Sequence, residues 1–146
     1  MTVIEKAALP ADCVPEGFVP FPNPAGFVRH CGGFYIHPER KLIGVRILPE
    51  HLNPLGFAHG GFLASIVDMS IGLAFKLASD TSLPQPTITL SIDYLSPAHA
   101  GAWIEAPVEI HRRGRRVSNA SCHLMDGDKL VAIGRGVFVS ASQPAA

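Results

Sequence analysis

Charge is scarce in this chain and carries no net sign. Twelve basic and twelve acidic residues cancel at pH 7, and only 16% of the side chains are charged. A chain with no global field does not draw in nucleic acid or an anionic membrane, so neither is an expected partner. Cysteine is equally sparse. Cys13, Cys31 and Cys122 are odd in number and far apart, and no C-x-x-C pair occurs. That pattern argues against a disulfide framework or a zinc knuckle and fits reduced thiols in a cytoplasmic protein. The seven histidines form no H-E-x-x-H and no close pair, so no metal is expected. No basic segment leads into an apolar one at the N-terminus, so no signal peptide is expected. The longest apolar segment, Phe62 to Ala78, is interrupted by Asp68, Gly72 and Lys76, which makes it a poor membrane span.

What the chain does have is core material. Of its 146 residues, 47% are hydrophobic, enough for one globular domain. Prolines 10, 15, 20 and 22 mark an irregular arm. Asn23-Pro24 then opens a short helix that Gly32-Gly33 closes, with Asn23 as N-cap. Phe34–His37 and Leu42–Leu48 flank the turn "PERK" and predict a hairpin. A long helix follows from about Gly60 to Ser79. Thr87 to Leu95 alternates, with Thr87, Thr89, Ser91 and Asp93 on one face and Ile88, Leu90, Ile92 and Tyr94 on the other, as a half-buried strand does. Further strands are expected over Trp103–His111, Val117–Met125 and Leu130–Val139. "RRGRR" turns between the first two, with Gly114 placed for a positive φ. Residues 1–32 thus form an arm with a short helix, 33–140 one domain and 141–146 a flexible tail. The class is α+β, with one long helix wrapped by an antiparallel sheet of about five to six strands.

The long helix carries a pattern of its own. Gly61, Ser65, Asp68, Gly72, Lys76 and Ser79 follow each other at three- and four-residue steps, so they share one face. Asp68 therefore lies on a seam of small residues and not against the sheet. The loop ahead of the helix holds Asn53, His59, Gly60 and Gly61. A helix's first-turn N–H groups and positive dipole end attract an anion or a polarised carbonyl. Glycines there let a ligand approach the backbone. Gly60 and Asp68 are eight residues apart, about 12 Å along a helix, whereas a base must lie about 3 Å from its target. Asp68 cannot serve a carbonyl bound at its own Gly60. A second copy, antiparallel across a two-fold axis, can bring its Asp68 there.

These residues resemble a known family. "NPLGFAHGG", with Asp68 eight residues after Gly60, is similar to the loop and helix of the hotdog-fold acyl-CoA thioesterases, in the phenylacetate-pathway (PaaI-like) branch. "YLSPAHAG" and "RRGRRVSNASCHLMDGDKLVAIGRGVF" extend the resemblance, which runs from Phe34 to Val139. It implies a hotdog fold and acyl-CoA hydrolysis to acid and free coenzyme A, with no cofactor. It also implies a homodimer, often paired again into a tetramer. The Gly60 amide would polarise the thioester carbonyl, helped by Asn53, and His59 would set the local geometry. The partner copy's Asp68 would be the nucleophile or the base that activates water, and Thr87 would orient that water. Gly61 would line the substrate, and Arg113, Arg115 and Arg116 are candidates for the coenzyme A phosphates.

The chemistry stands without the resemblance. Backbone donors aimed at a developing oxyanion lower its barrier, and a carboxylate desolvated by apolar neighbours is a better base. No G-x-S-x-G occurs, so Ser-His-Asp catalysis has no support. A hotdog hydratase or dehydratase would need a loop histidine pattern that is missing. A non-catalytic acyl-CoA binding protein would have no need of Asp68. Phe27, Phe34, Phe57, Phe62 and Phe75 can line an apolar pocket for a medium fatty chain or an aryl group, and for most of them an ordinary place in the core is the stronger reading.

Overall fold

The computed structural model describes residues 13–141. Pro10 of the arm and residues 142–146 of the expected tail lie outside them. The chain forms strand β1 (Val19–Pro20), helix α1 (Gly26–Cys31), β2 (Phe34–His37) and β3 (Leu42–Arg46), then a 3₁₀ turn (Pro49–His51). Helix α2 (Gly60–Leu77) follows, then β4 (Thr87–Tyr94), β5 (Trp103–Ala106), β6 (Val108–Arg113), β7 (Val117–Asp126) and β8 (Lys129–Val139). All strand pairs are antiparallel in one sheet of order β1-β2-β3-β5-β7-β8-β4, with β6 also on β7. One long helix lies against a curved sheet, the expected hotdog architecture.

The sheet has eight strands where five to six were expected, for two local reasons. The segment Trp103–His111 is divided at Pro107, which has no N–H for a ladder bond. Its halves β5 and β6 pair in succession with β7. The arm adds β1, which pairs Val19 with Ile36 and Pro20 with Tyr35.

The arm's described part is held down firmly. Phe18 packs edge-on against Trp103 (4.9 Å) and His37 (5.1 Å). The buried Arg46 guanidinium lies over Trp103 and donates to the carbonyls of Cys13 and Gly101. Asn23 is not the N-cap of α1. It takes a left-handed φ of 45° in the preceding turn, and Ala25 occupies the cap position. Gly32 does close that helix.

Helix α2 presses Phe62, Leu63, Ile66, Val67, Ile71 and Phe75 into the sheet, all buried. Ile43, Val45, Ile104, Cys122, Leu124 and Val131 meet them from the strands. Each fully buried aliphatic side chain contributes roughly 1.5–3 kcal/mol. The helix lies close because β8 has glycine beneath it. A Cβ at Gly134 would stand 2.3 Å from Val67, and one at Gly136 would stand 2.9 Å from Ile71. At 18 residues and a mean hydropathy of 1.4, α2 is long and apolar enough to cross a bilayer, yet its apolar face is spent on the sheet.

Candidate active site

The opposite face of α2 is open. Gly61 and Lys76 are exposed, and Ser65, Asp68 and Gly72 are half-buried. Asp68 thus lies off the buried face, on the seam of small residues and within reach of β4. One chain does not give it the apolar enclosure expected from sequence.

The loop before α2 is shaped by Asn53. Its Oδ1 accepts the amides of Leu55 (2.9 Å) and Phe57 (3.4 Å), and its backbone N–H donates to Phe57 O at 2.8 Å. The loop delivers His59 as the N-cap of α2, where its Nδ1 accepts the Gly61 amide at 2.9 Å. The amides of Phe62 and Leu63 both donate to the His59 carbonyl. Among the described residues, the first-turn N–H left without an acceptor is that of Gly60.

The space beside the Cα of each glycine is taken up within the chain, while the Gly61 backbone stays exposed. A Cβ on Gly60 would meet the Tyr94 ring at 3.2 Å, and one on Gly61 would meet His59 Nδ1 at 3.1 Å. Side chains of the same molecule fill both spaces. Tyr94 also donates its hydroxyl to the Gly60 carbonyl at 2.7 Å.

Asp68 has a partner of its own. Thr87 Oγ1 donates to Asp68 Oδ1 at 2.5 Å. Strict alternation would put Thr87 on the face away from Leu90, Ile92 and Tyr94. The register shifts between Thr87, opposite Phe138, and Thr89, opposite Val137. A β-bulge turns the strand by one residue there, so Thr87 reaches the helix and Ile88 is left 54% exposed. β4 is the edge strand beside β8, and it is less buried than expected.

The arginines stand apart from both groups. Arg113, Arg115 and Arg116 are exposed at the β6–β7 tip, as is Arg112. None has a carboxylate partner among the described residues. Val117 pairs with Val139, next to the Phe138 opposite Thr87, so the tip sits at the Thr87 end of the sheet. Gly114 does not adopt a positive φ. It is needed for space, since a Cβ there would lie 2.4 Å from the Val117 carbonyl.

A cleft of about 440 Å³ opens beside the first turn of α2, lined by Phe27, Cys31, Leu52, His59, Gly61 and Phe62 among others. Of the five candidate phenylalanines, Phe27 and Phe62 reach it, and Phe34 and Phe75 are core. His51 also borders it. This buried histidine accepts the Leu48 amide at Nδ1, donates from Nε2 to Cys31 O at 2.7 Å and stacks on Phe62 at 3.7 Å. Its role was invisible in a scan for paired histidines, and so was that of Tyr94, whose only signal was its place at the end of an alternating strand. Cys122 lies in the core, where burial pushes its thiol up to about 12.

The model of the family described as "Thioesterase superfamily" matches residues 55–133, more than half of the chain. The chain belongs to the thioesterase superfamily. Membership makes this superfamily chain a thioester hydrolase by class. It is 32% identical over 128 residues to a Pseudomonas aeruginosa protein named "Putative esterase PA0474", covering 86% of this chain and 96% of that one. It is also 32% identical to acyl-coenzyme A thioesterase 13 of Mus musculus, covering 67% of this chain and 71% of the relative. Among solved structures, a mutant of phenylacetic acid degradation protein PaaI from Thermus thermophilus superposes with a TM-score of 0.63 at 28% identity, over 68% of this chain and 83% of that one. The BH2602 protein of Bacillus halodurans, solved with CoA, gives a TM-score of 0.64 at 26% identity over 70% and 68%. These likenesses put the superfamily chain in the PaaI-like branch.

Proposed function

We propose that this chain hydrolyses acyl-CoA thioesters at a site built from two copies of itself. One observation carries the reading. The unengaged Gly60 amide and the Thr87-tethered Asp68 lie on the same open helix, about 12 Å apart. Neither half completes a site alone, and an antiparallel second α2 would bring each to the other's complement. The small residues of the seam permit that approach, and the edge strand β4 offers unpaired backbone groups beside it. A dimer of dimers is the assembly this reading extends to.

In the assembled site the Gly60 amide donates to the thioester oxygen as negative charge develops there. Asn53 holds the loop that carries His59, and His59 takes up the Gly61 amide so that the turn keeps its shape. Gly61 lines the approach to the thioester. The partner subunit's Asp68 attacks the carbonyl or takes the proton of the attacking water, which the partner's Thr87, bonded to that same Asp68, helps orient. The acyl group enters the cleft beside Phe27 and Phe62, whose size suits a medium chain or an aryl group. Arg113, Arg115 and Arg116 provide bidentate donors for the coenzyme A phosphates. No cofactor is required. The thioesterase 13 relative and the CoA-bound neighbour support the choice of thioester.

Two measurements test this. Purified protein should release coenzyme A from at least one member of a fatty and aryl acyl-CoA panel, and no release from any member would overturn the activity. Mixing tests the shared site. Asp68→Asn and Gly60→Pro copies should each be inactive, and co-expressed they should regain about a quarter of wild-type activity, since half the dimers hold one intact site. No recovery in mixed dimers would place both groups within one chain's site.

A further inference from the structure

We infer that Tyr94 is a positioning residue of the site, holding the Gly60–Gly61 peptide so that the neighbouring Gly60 amide stays fixed as a donor. The inference rests on the thioesterase reading above, which supplies the purpose, but the hold itself is a matter of geometry. The peptide unit between Gly60 and Gly61 is gripped at both ends. Tyr94 donates its hydroxyl to the carbonyl at 2.7 Å, and His59 Nδ1 accepts the amide at 2.9 Å. Two consecutive glycines have the widest backbone freedom of any pair and no side chains to anchor them. The Tyr94 ring, 3.2 Å from where a Gly60 side chain would start, fills the space that freedom would use.

Packing does not explain the tyrosine. It is 53% exposed and contributes little to the core. Its hydroxyl engages a carbonyl that the helix already uses in its first turn, so no orphan acceptor calls for it. What the bond adds is a fixed link between β4 and the start of α2. The same strand grips Asp68 through Thr87 at its other end. β4 therefore holds both half-sites of one chain at a set separation. Preorganised donors stabilise an oxyanion because they need not reorient as charge forms. Loosening the peptide should therefore cost turnover and leave binding alone.

The test compares wild type, Tyr94→Phe and, as a control on the outward side of β4, Ser91→Ala, all as full chains. Tyr94→Phe keeps the ring and removes only the hydroxyl. We expect kcat to fall about tenfold, less than the 10²–10³ typical of losing an oxyanion donor outright, with KM changed by less than about twofold. Ser91→Ala should match wild type. Amide NMR gives a readout independent of activity: the Gly60 and Gly61 signals should shift and exchange faster in Tyr94→Phe, while those around Asp68 hold. An unchanged kcat, a rise in KM alone, or a drop in melting temperature with unchanged glycine amides would each overturn the inference. A wild type without any thioesterase activity would sink the functional reading, and the glycine amides would still decide whether Tyr94 holds the peptide.

Discussion

The two faces of α2 are built from the same eighteen residues and answer to different physics. On the sheet side Ile66, Val67 and Ile71 are wholly buried, and even glycines on β8 are chosen for how closely they let the helix approach. On the open side Gly61 is exposed and Ser65, Asp68 and Gly72 are only half-buried. The sheet side makes the fold and has no chemistry to offer. The open side carries Asp68 and the Gly60 amide, the groups to which the proposed chemistry is assigned, with the side chains that engage them. A single helix can do both because its two faces are sampled by different residues at 3.6 per turn.

The separation of these faces can be broken by mutation. The largest effect on turnover should come from Asp68→Asn, which keeps an acceptor for Thr87 but cannot act as base or nucleophile. Coenzyme A release should fall on the order of 10²–10⁴, with stability changed by no more than about 0.5 kcal/mol. A matched loss of stability would mean the open face is structural after all. The mirror case is Ile66→Ala on the buried face. It should cost about 2–5 kcal/mol in a urea unfolding curve, and the fraction that remains folded should keep its wild-type kcat.

A milder change sharpens the open side. Replacing Arg115 and Arg116 together by Glu should raise KM for acyl-CoA about tenfold or more at low salt, and less at high salt. A thioester without the nucleotide should be hydrolysed as before. Equal loss on both thioesters would remove the arginine tip from phosphate binding.

The smallest effect probes the core through its one thiol. Cys122 is raised from 9.0 to about 12 by burial. A thiol reagent at neutral pH should label Cys13 readily, Cys31 more slowly because burial raises it too, and Cys122 only after unfolding. The linkage has a definite sign. The folded state holds its proton where the unfolded thiol has lost it, so this stabilisation is complete below pH 9 and fades as pH climbs toward 12. Cys122→Ala should lack that part of the alkaline decline.

Much of the molecule was legible in its sequence because the relevant signals are local. The three- and four-residue spacing from Gly61 to Ser79 put Asp68 on the open face, as the structure has it. The loop Asn53–Gly61 announced a helix start, and His59 does cap it. Sequence could not say that Thr87 would reach Asp68 by way of a bulge, since a bulge is defined by the partner strand's register. Nor could it say what occupies the space beside Gly60 and Gly61, for a related reason. Their missing side chains make room for Tyr94 and His59, and the contact at Gly60 comes from a residue 34 positions on.

What the sequence by itself determined is the helix, its two faces, the α+β class and the family to which the loop motif belongs. Those follow from periodicity and from short-range turn chemistry, which act within a few residues. Only the tertiary structure decided that β4 ties down both ends of the open face, with Tyr94 at Gly60 and Thr87 at Asp68. Those pairings join residues 34 and 19 apart in the chain. They exist because the sheet brings β4 alongside the helix, and no local pattern encodes that meeting.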